Sequence, residues 1–166
     1  MKVPRRMLLA AMLGWALPGF PGDHQAPVVS ATGYGRIHFG ERLSTVETRL
    51  KQRGSGPVLN PDCYYVSFPA YPGAQFMVEG DIITRVDFDA LVDNEAGIQA
   101  GTTIEEVKRR YPAATLTPND YSPDAPDIML TTPGGDAALL FNTDGKVVVL
   151  VRAGLVPSVT YGEGCS

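Results

Sequence analysis

The sequence predicts an α+β fold: two helix-plus-three-strand repeats forming one antiparallel sheet, with the helices on one face. Three observations predict it. The stretch "GIQAGTTIEEVKRRYP" (97–112) restates "GRIHFGERLSTVETRL" (35–50), each copy is followed by runs rich in β-branched and aromatic residues, and turn-forming glycines divide those runs.

Residues 1–31 read as a signal peptide and leader. Lys2, Arg5 and Arg6 precede an apolar run, Met7 to Phe20, that is too short and too broken by Gly and Pro to span a bilayer. Val29-Ser30-Ala31 fits a cleavage site, although the cut bond could lie several residues earlier, and no Cys follows the apolar run to take a lipid. Cleavage after Ala31 leaves 135 of the 166 residues, enough for one domain with a real core (32–166), and no transmembrane segment. It removes Lys2, Arg5, Arg6 and Asp23, so the formal charge moves from −4 to −6. A mildly acidic chain is a poor partner for nucleic acid or anionic lipid.

The elements of the first repeat, about 35–92, follow in order. Sliding the chain over itself by 61 residues puts Ile37 on Ile98, Gly40 on Gly101, Leu43 on Ile104, Val46 on Val107 and Leu50 on Tyr111. The apolar positions after each Gly have helical spacing, which predicts a short amphipathic helix with one buried stripe, ended in the first copy by Gly54. "CYYVSF" (63–68) then reads as a strand, and "QFMVEGDIITRVDF" (75–88) as two strands joined by a tight turn at Gly80-Asp81. Alternation in "IITRVDFD" assigns Ile82, Thr84, Val86 and Phe88 to the core face, leaving Ile83, Arg85, Asp87 and Asp89 on the open face.

In the second repeat, about 96–155, Thr102 with Glu105 or Thr103 with Glu106 makes a capping box, and Pro112 stops the helix after Tyr111. Strands follow at "IMLTT" (128–132), "AALLFN" (137–142) and "VVVLVRA" (147–153), after the Pro-rich loop 116–127. One repeat alone would expose a sheet face and an open edge, so the two are expected side by side in one sheet. Cys63 and Cys165 are most simply one disulfide in an exported chain, with two free thiols or an intermolecular bridge as the alternatives. Such a bond would tie the C-terminal tail to the first half.

The tandem signature I-x-x-G-x-x-[LI]-x-x-V, carried by Ile37, Gly40, Leu43 and Val46 and again by Ile98, Gly101, Ile104 and Val107, resembles the superfamily of β-lactamase-inhibitor proteins and small outer-membrane lipoproteins of the SmpA/OmlA type. "YPGAQFMVEGDIITRVDF" and the terminal "YGEGCS" are more narrowly similar to a group of exported proteins of Gram-negative bacteria. The resemblance implies a non-enzymatic periplasmic or secreted module that binds another envelope protein, or inhibits one, through a sheet face. This chain lacks the lipidated Cys of the lipoprotein branch, and no inhibitory residue carries over by position.

The candidate contact residues are Tyr64, Tyr65, Arg85, Asp87 and Tyr121. Adjacent Tyr64 and Tyr65 point to opposite faces of a strand, so one is core and the other is available for contact. Catalytic patterns are absent: no G-x-S-x-G, H-E-x-x-H, phosphate-binding Gly loop or C-x-x-C occurs, and His38 reads as a local hydrogen-bonding residue. No cofactor or metal is expected. Cys63 and Cys165 lack neighbours at ligand spacing, and Asp120, Asp124 and Asp127 lack the calcium-loop pattern. The alternative is an envelope glycan- or small-ligand-binding protein, or a hydrolase using carboxylates among Glu79, Asp81, Asp87, Asp89 and Glu163.

Overall fold

A computed structural model describes residues 27–119 and 121–165. Of the signal peptide and leader expected on residues 1–31, residues 1–26 lie outside the described residues, as does Asp120. The fold is predominantly β, 38% strand against 13% helical. This corrects the expectation of two helix-plus-three-strand repeats forming one antiparallel sheet.

Three two-residue strands, β1 (Val29–Ser30), β2 (Gly33–Tyr34) and β3 (Ile37–His38), form a separate antiparallel meander. Backbone bonds from Val29 N–H to Asp93 O and from Glu95 N–H to Val29 O tie it down. Val29 is fully buried, and Val29-Ser30-Ala31, the stretch read as a cleavage site, lies at the start of this meander.

The large sheet has seven strands, all antiparallel: β4 (Cys63–Val66), β5 (Ala74–Glu79), β6 (Ile82–Phe88), β7 (Thr115–Thr117), β8 (Asp127–Thr131), β9 (Ala137–Thr143) and β10 (Val148–Leu155). Their spatial order is β4-β5-β6-β10-β9-β8-β7. Strand counts differ between the halves, three after helix α1 (Leu43–Leu50) and four after helix α2 (Ile104–Arg110). The likeness of the two helix-entry motifs is local. Gly40 N–H donates to Ile83 O and Leu43 N–H to Asp81 O; Gly101 N–H donates to Val148 O and Ile104 N–H to Lys146 O. In both places the chain docks on a hairpin before turning into helix.

Local chemistry explains the ends of these elements. Thr103 caps α2 by accepting from Glu106 N–H, one of the two boxes expected, and the helix stops at Arg110 ahead of Pro112. Helix α1 ends earlier than Gly54 predicts, because Lys51 takes the left-handed conformation (φ 55°) and its N–H returns to Glu47 and Thr48 carbonyls. Gly80 (φ 54°) and Asp81 (φ 72°) both have positive φ, the requirement of a two-residue hairpin turn.

The main core lies between one face of the large sheet and the helices with the meander. Val46 of α1 and Val107 of α2 pack there with Phe76, Val78, Ile83, Val86, Phe141 and Val151. The face assignment read from simple alternation is wrong at the start of β6. Met77 pairs with Arg85 but Val78 pairs with Ile83, so Thr84 is bulged out of register. The bulge puts Ile83, not Ile82 or Thr84, in the core, while Val86 and Phe88 remain there. Among the described residues no helix is long and apolar enough to cross a membrane.

Candidate functional site

Arg85 and Asp87 keep their predicted face, but that face is not open. After β10 the chain turns back at Pro157 and a short 3-10 helix, Ser158–Thr160, lies on it. Val159 is fully buried against Ala138 and Leu140, with Met129 beside them. The segment ends at Cys165, which is bonded to Cys63 of β4 with a Cα–Cα separation of 5.2 Å. The intramolecular disulfide is therefore formed, and the tail crosses the sheet between β9 and β4.

Beneath the tail Arg85 is 3% exposed. Its Nε donates to Asp87 Oδ2 at 2.8 Å and its Nη2 to Asp87 Oδ1 at 2.8 Å, while Nη1 donates to Ser158 O at 3.2 Å and Tyr161 O at 2.7 Å. Arg152, paired in register with Asp87, adds a bond from Nη1 to Tyr161 O at 3.1 Å. Glu79 accepts from Thr84 Oγ1 and, at 2.6 Å, from Ser158 Oγ. Every one of these polar groups holds the tail or a neighbour that holds it. The open-face placement of Arg85 and Asp87 is thus corrected: they are the anchor of an intramolecular cover.

Tyr64 and Tyr65 do face opposite ways. Tyr64 packs against the main core, and Tyr65 points to the tail side, where burial first and the Asp87 carboxylate second push its phenol up to about 12. Gly164 passes so close to Tyr65 that an added Cβ would sit 2.3 Å from the phenolic oxygen, and Gly162 passes near the Tyr121 ring, 2.8 Å by the same measure. Tyr121 is 62% exposed and flanks the tail. Four of the five predicted residues, Tyr65, Arg85, Asp87 and Tyr121, therefore gather around one feature, the C-terminal segment, and of these only Tyr121 is largely exposed.

Two further carboxylates are also engaged. Asp81 pairs with Arg42 at 3.2 Å, and Asp127 Oδ1 accepts from Asn142 at 3.0 Å and Asn119 at 3.3 Å. Burial pushes the Asp127 carboxyl above its ordinary value of 3.8, against the lowering effect of those amides and of Arg152. A carboxyl whose pKa rises on folding contributes stability that is complete below the unfolded value and is lost as pH rises through the folded one. Asp127→Asn is accordingly expected to gain stability relative to the parent chain between pH 3 and pH 7, read as a rising difference in urea midpoint. A constant difference across that range would show that Asp127 ionises without penalty.

The surface that sequence reasoning missed adjoins β4. Residues 55–62, "SGPVLNPD", form a run of eight exposed residues, the longest in the described chain. Val58 is 57% and Leu59 93% exposed, the highest values among the aliphatic residues described. Both ends of the run are fixed. Ser55 and Ser67 exchange backbone bonds of 3.0 and 2.8 Å, and Asp62 O accepts from Gly80 N–H at 3.0 Å next to the disulfide. Behind the run lies a cleft of about 400 Å³ whose walls include Leu59, Tyr64, Tyr65, Gln75 and Cys165. Pro and Gly in "GSGPVLNPD" signal a loop, but nothing in the pattern says that its two apolar side chains turn outward. No protein-family model, curated protein or solved structure matches the chain.

Proposed function

We propose that this chain is a non-enzymatic protein-binding module of the periplasm or cell exterior, and that it binds through the 55–62 loop and the cleft behind it. The observation that carries the reading is the pair Val58 and Leu59, exposed on a loop tied at both ends. Burying one such side chain on a partner is worth about 1.5–3 kcal/mol, and a tied loop loses little entropy on docking. Tyr65 and exposed Gln75 on the neighbouring strands supply an aromatic wall and a polar rim. The resemblance to envelope inhibitor and assembly proteins supports the same class. The sheet face named from the sequence is replaced as the contact surface, since the tail occupies it. Against a carboxylate-dependent hydrolase, Asp87 is held by Arg85, Glu79 by Thr84 and Ser158, and Asp81 by Arg42.

The test is affinity capture from a periplasmic extract with the oxidised chain as bait, beside a Val58→Asp/Leu59→Asp variant. The variant should melt within about 0.5 kcal/mol of the parent, because both positions are on the surface. A near-stoichiometric protein retained by the parent and lost by the variant is the expected result. Equal retention by both, or none by either, overturns the proposal.

A further inference from the structure

We infer that the 55–62 loop is a substrate-like inhibitory loop for a serine protease with an apolar primary pocket: Leu59 enters that pocket and the Leu59–Asn60 bond lies across the catalytic serine. The inference rests on the protein-binding reading and names the class of partner.

Four features of the loop fit such a partner. Leu59 is the most exposed large apolar side chain of the described residues, and the chain bends there, so one aliphatic group stands at the tip. Pro57 and Pro61 flank it at two residues on either side, fixing φ at both positions. No Lys or Arg lies between Gly54 and Asp62, so a pocket that selects a cation has nothing to accept, whereas one that selects an aliphatic side chain does. The fourth feature is the bracing, and it separates an inhibitor from a substrate. On the amino side Ser55 is paired to Ser67 of the β4 extension; on the carboxyl side Asp62 N–H donates to Asn60 Oδ1 at 3.0 Å, Asn60 bridges to Cys63, and Cys63 is bonded to Cys165.

The chemistry follows from that bracing. The protease serine Oγ attacks the Leu59 carbonyl carbon; its proton passes through the protease histidine to the Asn60 nitrogen, the C–N bond breaks, and Leu59 becomes an ester on the serine. In an untethered peptide the new amine leaves and water takes its place. Here the new chain ends are held four residues back at Ser55 and three residues on at Cys63, so the Asn60 amine stays beside the ester. It can re-attack, restoring the amide and returning the proton to the serine oxygen. Retention of the leaving group at high local concentration makes hydrolysis slow and the complex long-lived.

The experiment titrates the oxidised full chain against a chymotrypsin-like serine protease, which prefers apolar side chains, and a trypsin-like one as control. The expected result is one-to-one inhibition of the first enzyme only, with a single slow nick between Leu59 and Asn60. Leu59→Ala should raise the inhibition constant about thirtyfold or more, the effect of removing a hot-spot side chain. Leu59→Lys should transfer inhibition to the trypsin-like enzyme. Rapid cleavage without inhibition, no effect on either enzyme, or inhibition indifferent to both Leu59 variants overturns the inference. Sedimentation of the chain as a dimer that dissociates in Leu59→Ala would overturn it too, assigning the tip to a second copy. If the periplasmic capture still retains a Leu59-dependent partner while the protease is untouched, the binding reading stands and only the partner class falls.

Discussion

Replacing Cys63 and Cys165 together by Ala is expected to lower the free energy of unfolding by about 4–5 kcal/mol, the loop-closure entropy of a long cross-link. The bond spans 102 residues, and its opening frees the tail at the end that lies over β4. Noncovalent contacts remain at the other end, where Val159 is buried and Arg85 grips the Ser158 and Tyr161 carbonyls. Those contacts then have to hold a free chain end, which frays where an anchored one does not. For a domain of this size the loss is a large fraction of the 5–15 kcal/mol that native proteins possess. Urea unfolding of the double variant against the oxidised parent measures it, and the denaturant slope should also change if the untethered tail leaves the sheet in the native state. A difference below about 1 kcal/mol would mean that the reduced and oxidised unfolded chains are equally compact, and that the bond acts only on the loop beside it. In that case its main role is the bracing of residues 55–62.

How far the fold can be read from the sequence depends on whether a signal is local. The Gly80-Asp81 turn and the Thr103 cap are local, since positive φ and an orphan helix N–H each demand particular residue types, and both are where they were expected. The pairing of Cys63 with Cys165 needed only an even count and an oxidising setting. What failed depended on register or on distant chain. The bulge at Thr84 shifts the pleat by one residue, and alternation within "IITRVDFD" cannot reveal it because the extra residue is defined by the partner strand. The two-residue strands of the meander are too short to show any period. The tail "VPSVTY" has neither helical nor strand spacing, so its docking on the far face of the sheet went unseen, and with it the burial of Arg85 and the emergence of two repeats as an incomplete description. The candidate site suffered in the same way: Tyr65 was found because adjacent tyrosines must diverge, whereas Leu59 was missed because outward-facing apolar residues carry no mark in a Pro-rich loop.

Arg85→Ala is expected to destabilise the fold by about 3–5 kcal/mol, the cost of breaking a buried charge pair by removing one partner. If Arg85 and Asp87 stood on an open face, the pair would contribute at most about 1 kcal/mol and would weaken with salt. Instead the guanidinium is 3% exposed and makes bonds to both Asp87 oxygens and to two tail carbonyls. Its loss leaves the half-buried Asp87 with Arg152 at 3.7 Å and the Tyr65 phenol, and removes one of the two donors to Tyr161 O, so tail and sheet lose their polar joint together. Changing both Arg85 and Asp87 to Ala should cost less than the two single changes combined, because the double variant no longer strands a buried charge. The discriminating measurement is a urea double-mutant cycle at low and high salt. A coupling energy that persists in 1 M salt places the pair beneath the tail; one that vanishes returns it to solvent. Since the Arg85 contacts and the disulfide act at opposite ends of one segment, the Arg85→Ala loss should shrink in the Cys63→Ala/Cys165→Ala background, where the tail is already partly released. Such non-additivity would identify the tail as a single cooperative element, and full additivity would mean that each end docks on its own.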